Sequence, residues 1–352
     1  MSLFFISCSK SKKEENSDEN KFQMKSAVNI VENYMGYLSN EDYKNAKKLY
    51  TKELEEKSKD MGENKLKIKG YNMENISEVG RSALIEMKVT RSSETSSEAF
   101  LDNYAIKVIK EKSEYKISEI KYNPEKEGFN EKKQIRQRSK KNVKTDLVTE
   151  MGSLPNYFFP KDDGGNIYKV PVTKDEFGPI QFSYSGDKIA VSTKGENPYI
   201  GVIAIDDTLA VQGSGAGGGG GGDKSEGQQG DQEGKSTGMK EKPVGKEIVS
   251  LDILKGSSIE FLVFSQDEEL LLCQYKSSGG KIFRIYKAGS GEMVPIDFKS
   301  IFPVDKVDLV YDSFNKDILN FEVKKRDGIN SSDTSILGKY KLDLKEFNIT
   351  KL

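Results

Sequence analysis

The 352-residue sequence predicts an α+β N-terminal domain followed by an all-β domain, propeller-like or a β-sandwich. Three observations predict it. Helical spacing near the start gives way to period-2 alternation. Hairpin phrases of one kind then recur through the second half. Between two of them lies a glycine-rich segment that cannot bury apolar surface.

From Lys25 to Leu38, apolar residues fall at Ala27, Ile30, Val31, Tyr34 and Leu38, the spacing of one helix face. Ser39 and Asp42 read as a capping box, and Tyr43, Ala46, Leu49, Tyr50 and Leu54 mark a second helix. After that the period changes. Leu66 and Ile68 alternate, as do Ile85, Met87 and Val89, then Tyr104, Ile106 and Val108. Tyr115 and Ile117 start a strand towards Tyr122. Such alternation predicts a sheet with one buried face, which the helices cover. The domain is expected over residues 24–122.

Residues 123–153 read as a basic, partly helical linker. Lys132 to Lys144 holds seven basic residues and no acid. Such a cluster suits an anionic membrane surface or wall polymer, or a plain solvated connector.

Residues 154–352 read as all-β. Phe182–Ser192, Phe264–Cys273 and, more weakly, Tyr311–Phe321 each place an aromatic strand end before a polar turn and an apolar strand. The second and third units start 47 residues apart. With the insert 212–241 removed, the first and second lie about 50 apart, near a propeller period. The insert contains Gly217–Gly222 unbroken, then mainly Gly, Gln, Ser, Asp, Lys and Glu. It predicts a disordered loop within one sheet, between the strand-like Val202–Val211 and Glu247–Ile253. No Gly-Lys-Ser/Thr ending follows, as a phosphate loop would need.

Composition narrows the chemistry. Lys+Arg (55) and Asp+Glu (56) nearly cancel, so no global field points to nucleic acid. With no histidine, triad hydrolases and His-ligated zinc are excluded. No cofactor or metal site is expected. Asp162-Asp163-Gly164-Gly165-Asn166 lacks the ligand spacing of a calcium loop. Asp206-Asp207 and Asp267-Glu268-Glu269 read as solvated acids at strand ends. Cys273, in Leu270–Tyr275, reads as a buried small hydrophobe without a base to activate it. Tyr34, Tyr37, Tyr43, Tyr50 and Tyr104 read as core or rim, or as walls of a ligand site.

Leu3-Phe4-Phe5-Ile6-Ser7-Cys8, followed by a polar stretch, resembles the tail of a bacterial lipoprotein signal peptide. The resemblance is to lipoproteins of Gram-positive, clostridial type. It implies diacylglycerol on Cys8, residues 1–8 as a signal remnant, and residues 9–23 as a flexible tether. The expected place is the outer face of the cell membrane, held by the lipid. Tyr34–Ala46, with the order of elements, resembles the nuclear-transport-factor-2-like, cystatin-like cone. Enzymatic members use an Asp or His inside the cone. Here no His exists and no Asp is assigned to an inward strand position, so no catalysis is expected there. Phe182-Ser183-Tyr184-Ser185-Gly186-Asp187-Lys188-Ile189 resembles the blade turn of WD-like and Tol-associated propellers.

The expected function is a non-enzymatic binding or scaffold module for an envelope protein or an anionic polymer. Two alternatives stand beside it. One is a carboxylate-dependent surface hydrolase, which needs two acids converging in a central pocket. The other is a small-ligand sensor with a dry cavity at Tyr34, Tyr50 and Tyr104.

Overall fold

A computed structural model describes residues 22–58, 65–140, 144–161, 168–213, 241–277, 280–328 and 334–352. Cys8, residues 9–21 of the expected tether, Gly217–Gly222 and Asp162–Asn166 lie outside the described residues. The expected tether is corrected at its end, where Phe22 packs on Tyr115 and Gln23 N-caps the first helix.

Helix α1 (Met24–Ser39) buries Ala27, Val31, Tyr34, Met35 and Leu38, close to the predicted face. It runs through Ser39, so the expected capping box is not formed. The N-cap of α2 (Tyr43–Lys47) is Asp42, whose side chain accepts from the Asn45 amide at 3.1 Å. The expected second helix is split. Thr51 N donates to Ile117 O and Ile117 N to Leu49 O, and this pairing interrupts the helix before α3 (Lys52–Lys57).

Six antiparallel strands follow as a meander in sequence order: β1 (Lys67–Val79), β2 (Ser82–Ser92), β3 (Glu98–Glu111), β4 (Glu114–Glu131), β5 (Gln134–Ser139) and β6 (Asp146–Glu150). The expected boundary at 122 and the linker 123–153 are therefore corrected. β4 continues past Tyr122, and β5 and β6 belong to the same sheet. The linker looked polar because inward Ile135 of β5 is followed by a second inward residue, Gln137, that is polar. Two of its basic residues are paired with carboxylates. Arg136 pairs with Glu241 at 2.8 Å, Arg138 with Glu127, and Lys132 and Lys133 form the β4–β5 turn.

This sheet serves two cores. α1 covers Ile85, Met87, Val89, Ile106, Val108 and Ile117. Further along, Ala99, Leu101, Ile135 and Val148 pack on the second domain. Bulges in the β1–β2 and β3–β4 ladders bend the sheet between the two tasks.

After a small hairpin, β7 (Tyr157–Phe158) with β8 (Val170–Pro171), three blade-like sheets follow. The first is β9 (Gln181–Phe182), β10 (Lys188–Ser192), β11 (Tyr199–Ile205) and β12 (Gly245–Ile253). The second is β13 (Ser258–Phe264), β14 (Leu270–Ser277) and β15 (Gly280–Lys287), with a Tyr286–Met293 bridge at its edge. The third is β16 (Val307–Asn315), β17 (Ile318–Lys325), β18 (Gly338–Asp343) and β19 (Ile349–Lys351). Each predicted repeat unit is the first hairpin of a blade. The architecture is an α+β domain followed by propeller-like β sheets.

The turn chemistry repeats as well. Ser183 Oγ accepts from Lys188 N at 3.1 Å, and Ser265 Oγ accepts from Leu270 N at 2.9 Å. Asp187 and Asp267 each accept from the serine of their own turn. The expected strand Val202–Val211 ends at Ile205, and Thr208–Gly213 is helical. The insert still joins two neighbouring strands of one sheet.

The arc of blades ends differently on its two sides. The outer side of the first blade is closed by Leu101, Ile135 and Val148 of the N-terminal sheet. On the third, inward Leu319, Phe321 and Val323 alternate with outward Asn320, Glu322 and Lys324, so that side meets water as a polar cap.

Candidate functional site

The N-terminal sheet meets the innermost strands of all three blades, β9, β13 and β16, through β1, β2 and β3. Four residues of β1 carry much of that contact. A bulge between Ile68 and Gly70 sets Lys69 out of register. The Tyr311 hydroxyl from the third blade donates to Lys69 O at 3.0 Å. From the first blade, Tyr184 lies against Gly70, where a Cβ would overlap its hydroxyl; glycine is needed for this approach. From the second, Gln266 Nε2 donates to Tyr71 O at 3.3 Å, and Asn72 Nδ2 donates to Gln266 O at 3.1 Å.

The bulge aims Lys69 into a polar cleft of about 410 Å3, walled by residues 39–41, β1, β13 and β16. The Lys69 ammonium lies 2.5 Å from Glu94 Oε1 and 4.0 Å from the centroid of the Phe261 ring. The residue is 8% exposed. Burial pushes its pKa down, against the opposing pull of Glu94 and Glu260. For Glu94, burial pushes upward, but Lys69, Lys67 and Lys281 together outweigh it and hold the carboxyl below its usual range. Glu260 sits 3.1 Å from Lys281 and 3.3 Å from Lys276, and Lys67 sits 3.0 Å from Glu41. On the far side of Glu94 and Glu260 a second cleft of about 540 Å3 opens towards Thr95, Lys194 and Ser257. Gln274 lines the first cleft and joins two blades, donating to Leu309 O at 3.0 Å and accepting from Tyr311 N at 3.0 Å.

The cleft thus presents cations and carboxylates in alternation, with donors and acceptors spread along two walls. Such a surface suits polar recognition. A carboxylate dyad for acid–base work needs one member kept neutral by its surroundings. Glu94 is held in the opposite sense. Among the described residues no group of three or more His, Cys, Asp or Glu side chains could hold a metal ion.

The residues singled out from the sequence lie elsewhere. Asp206 caps the helix at Thr208, and its pKa is drawn down to about 2 by Lys246 and Thr208. Asp207 bonds Lys126 at 2.8 Å and Gln137 at 2.6 Å, joining the first blade to the N-terminal sheet. Glu268 was expected in solvent. It instead accepts from the Ser185 amide at 2.6 Å and its hydroxyl at 2.8 Å, between two blades. Cys273 is fully buried, and burial pushes its thiol pKa well up. Tyr34 and Tyr50 share a 2.8 Å hydrogen bond inside a core packed with Met35, Ile85, Met87 and Val89. Burial raises both phenols. Tyr37, Tyr43 and Tyr104 pack against the same core from its edge. One residue corrects the reading of the cone directly. Asp102 is fully buried on its sheet, paired with Arg91.

Lys69, Glu94 and Glu260 were not singled out. A lysine after Ile68 and two isolated glutamates carry no spacing signal, and the bulge that unites them is a tertiary feature.

No protein-family model matches the chain, and no curated protein matches it in sequence. Solved structures do align. TolB from Acinetobacter baumannii aligns over 73% of this chain and 55% of its own, at 9% identity and a TM-score of 0.30. A putative 6-phosphogluconolactonase from Bacteroides uniformis aligns over 78% of this chain and 68% of its own, at 12% identity and 0.30. The GH74 enzyme of Niastella koreensis aligns over 80% of this chain and 45% of its own, at 9% identity and 0.33. The chain spans about half the length of the TolB chain (55%). These neighbours are Tol-type and other propeller-like β proteins. Among the described residues no helix is long and apolar enough to cross a membrane.

Proposed function

We propose that the chain is a non-enzymatic binding module of the cell envelope, held at the membrane by lipid on Cys8. The Lys69 cleft would hold a segment of an envelope protein. The observation that carries this reading is the bulge that aims a buried lysine between two carboxylates, at a junction gripped by all three blades. Each of Lys67, Lys69 and Lys281 already has a carboxylate partner. The cleft therefore lacks the uncompensated positive charge that would favour an anionic polymer. Alternating charge matches a polypeptide, which carries both signs and a backbone of donors and acceptors.

The hydrolase alternative has one observation in its favour, since Glu94 and Glu260 border the same clefts. Lysines hold Glu94 ionised, which leaves it unsuited as a general acid. The sensor alternative needs a dry cone, and the core around Tyr34 and Tyr50 is packed with side chains instead.

The test is photo-cross-linking in intact cells from Asp312, on the cleft wall. One discrete protein adduct, lost in Lys69→Glu, is the expected result. A smear without discrete adducts, or an adduct unchanged by Lys69→Glu, overturns the cleft as the binding site. Labelling with an alkyne fatty acid that persists in Cys8→Ser overturns the anchor.

A further inference from the structure

A second constellation lies on the α1 side of the N-terminal sheet, independent of the cleft. The β2–β3 register runs unbroken, so Asp102 shares the face of β3 that Tyr104, Ile106 and Val108 occupy. Asp102 is fully buried, and its Oδ2 accepts from Arg91 Nε at 2.6 Å. Its Oδ1 has no hydrogen-bond partner among the described residues. The pair is single-pronged, so the guanidinium is pinned through Nε alone. Neither Nη donor has a partner among the described residues. The Phe100 ring stands 5.1 Å from the guanidinium carbon. Beside them Tyr104 and Tyr122 stack with centroids 5.7 Å apart, and their hydroxyls make no hydrogen bond among the described residues. Tyr122 is 60% exposed, so this wall opens to solvent.

We propose that Arg91 is the receptor for a carboxylate carried on a flat, apolar body. A guanidinium offers donors in a rigid fork that matches the two oxygens of a carboxylate. Asp102 is the positioning residue. It fixes the fork by one edge and leaves the Nη edge for a ligand. Retaining a buried carboxylate with one orphaned oxygen is costly for stability alone, and it suits a group whose task is to hold Arg91 still. Phe100, Tyr104 and Tyr122 supply the aromatic surface that an apolar body would cover.

The experiment titrates the full chain with sodium benzoate, its neutral isostere benzamide, and inorganic phosphate, read by calorimetry and by the Arg Nε–H signals in NMR. Benzoate should saturate with a dissociation constant of about 1 mM or tighter, as a well-placed ligand of this size allows. Benzamide and phosphate should bind at least tenfold more weakly. Arg91→Lys keeps the charge and loses the fork, and should weaken benzoate at least tenfold, whereas Lys299→Gln, in the segment between the second and third blades, should not. If Arg91→Lys fails to fold, the comparison of benzoate with benzamide on the unaltered chain still decides. Benzamide binding as well as benzoate, phosphate competing equally, no saturation, or a folded Arg91→Lys with unchanged affinity would each overturn the assignment.

Discussion

The hydroxyl of Tyr311 donates to the main-chain carbonyl of Lys69, the bulged residue of β1, at 3.0 Å. A bulge removes its residue from the ladder, and Tyr311 supplies the missing partner from the third blade. The same hydroxyl accepts from Phe314 N at 3.1 Å. Tyr311→Phe should therefore destabilise the protein by about 1–3 kcal/mol, the cost of leaving such groups unsatisfied. Urea unfolding checks this, and a midpoint equal to that of the unaltered protein would count against it.

Gly70→Ala places a methyl group into the Tyr184 hydroxyl. Tyr184 is buried among Val263, Phe264 and Leu271, so its ring has little room to yield. The expected loss is about 1–3 kcal/mol, as for other overpacked cores. Adding Tyr184→Phe removes the overlapping atom and should recover part of it. A double variant no more stable than Gly70→Ala would contradict the steric account.

Asp252 is fully buried between the first two blades. It accepts from Arg284 Nη1 at 2.8 Å, from the Tyr286 hydroxyl at 2.8 Å and from the Lys161 amide at 2.9 Å. Asp252→Ala should cost about 3–5 kcal/mol, because it strips a buried guanidinium of its carboxylate. Thermal unfolding of the two proteins measures it.

Glu94 has a folded pKa below its unfolded value of 4.5. Between the two values the unfolded chain binds more protons than the folded one. Stability from this group is therefore present above pH 4.5 and lost as pH falls through the folded value. Glu94→Gln should show a shallower decline of stability below pH 4.5 than the unaltered protein. Parallel curves from denaturant titrations across that range would refute the linkage.

Cys273 should be unreactive in the folded protein, since burial keeps the thiol protonated and out of reach. In a Cys8→Ser background, Ellman's reagent should find no thiol until urea unfolds the chain. Rapid labelling under native conditions would show that the second blade opens.

The blades were legible because their signals are local. Ser183 and Ser265 open turns whose hydrogen bonds close within five residues. The helix over 24–39 and the alternation of β2 and β3 are local too. The sheet beyond Tyr122 was not legible. Gln137 faces inward because Asp207, 70 residues away, accepts its amide proton. Glu268 looked solvated because its partner Ser185 lies 83 residues back. Lys69 carried no signal, since nothing near it in sequence announces a bulge or Phe261. Asp102 extends the alternation of Tyr104, Ile106 and Val108, but an acid there reads as polar until Arg91 of the neighbouring strand is placed beside it.

The Lys69–Tyr311 contact joins residues 242 positions apart. During synthesis at about 5–20 residues per second, β1 waits roughly 10–50 s for the residue that satisfies its bulge. Until then the carbonyl of Lys69 and the face around Gly70 stay open to water and to other chains. The last blade is thus a late, non-local step in maturation, of the kind that slows β-rich chains. A chain cut short before Val307 would strip Phe283 of the second blade of its Phe321 ring contact and present an unfinished β1 as a sticky edge.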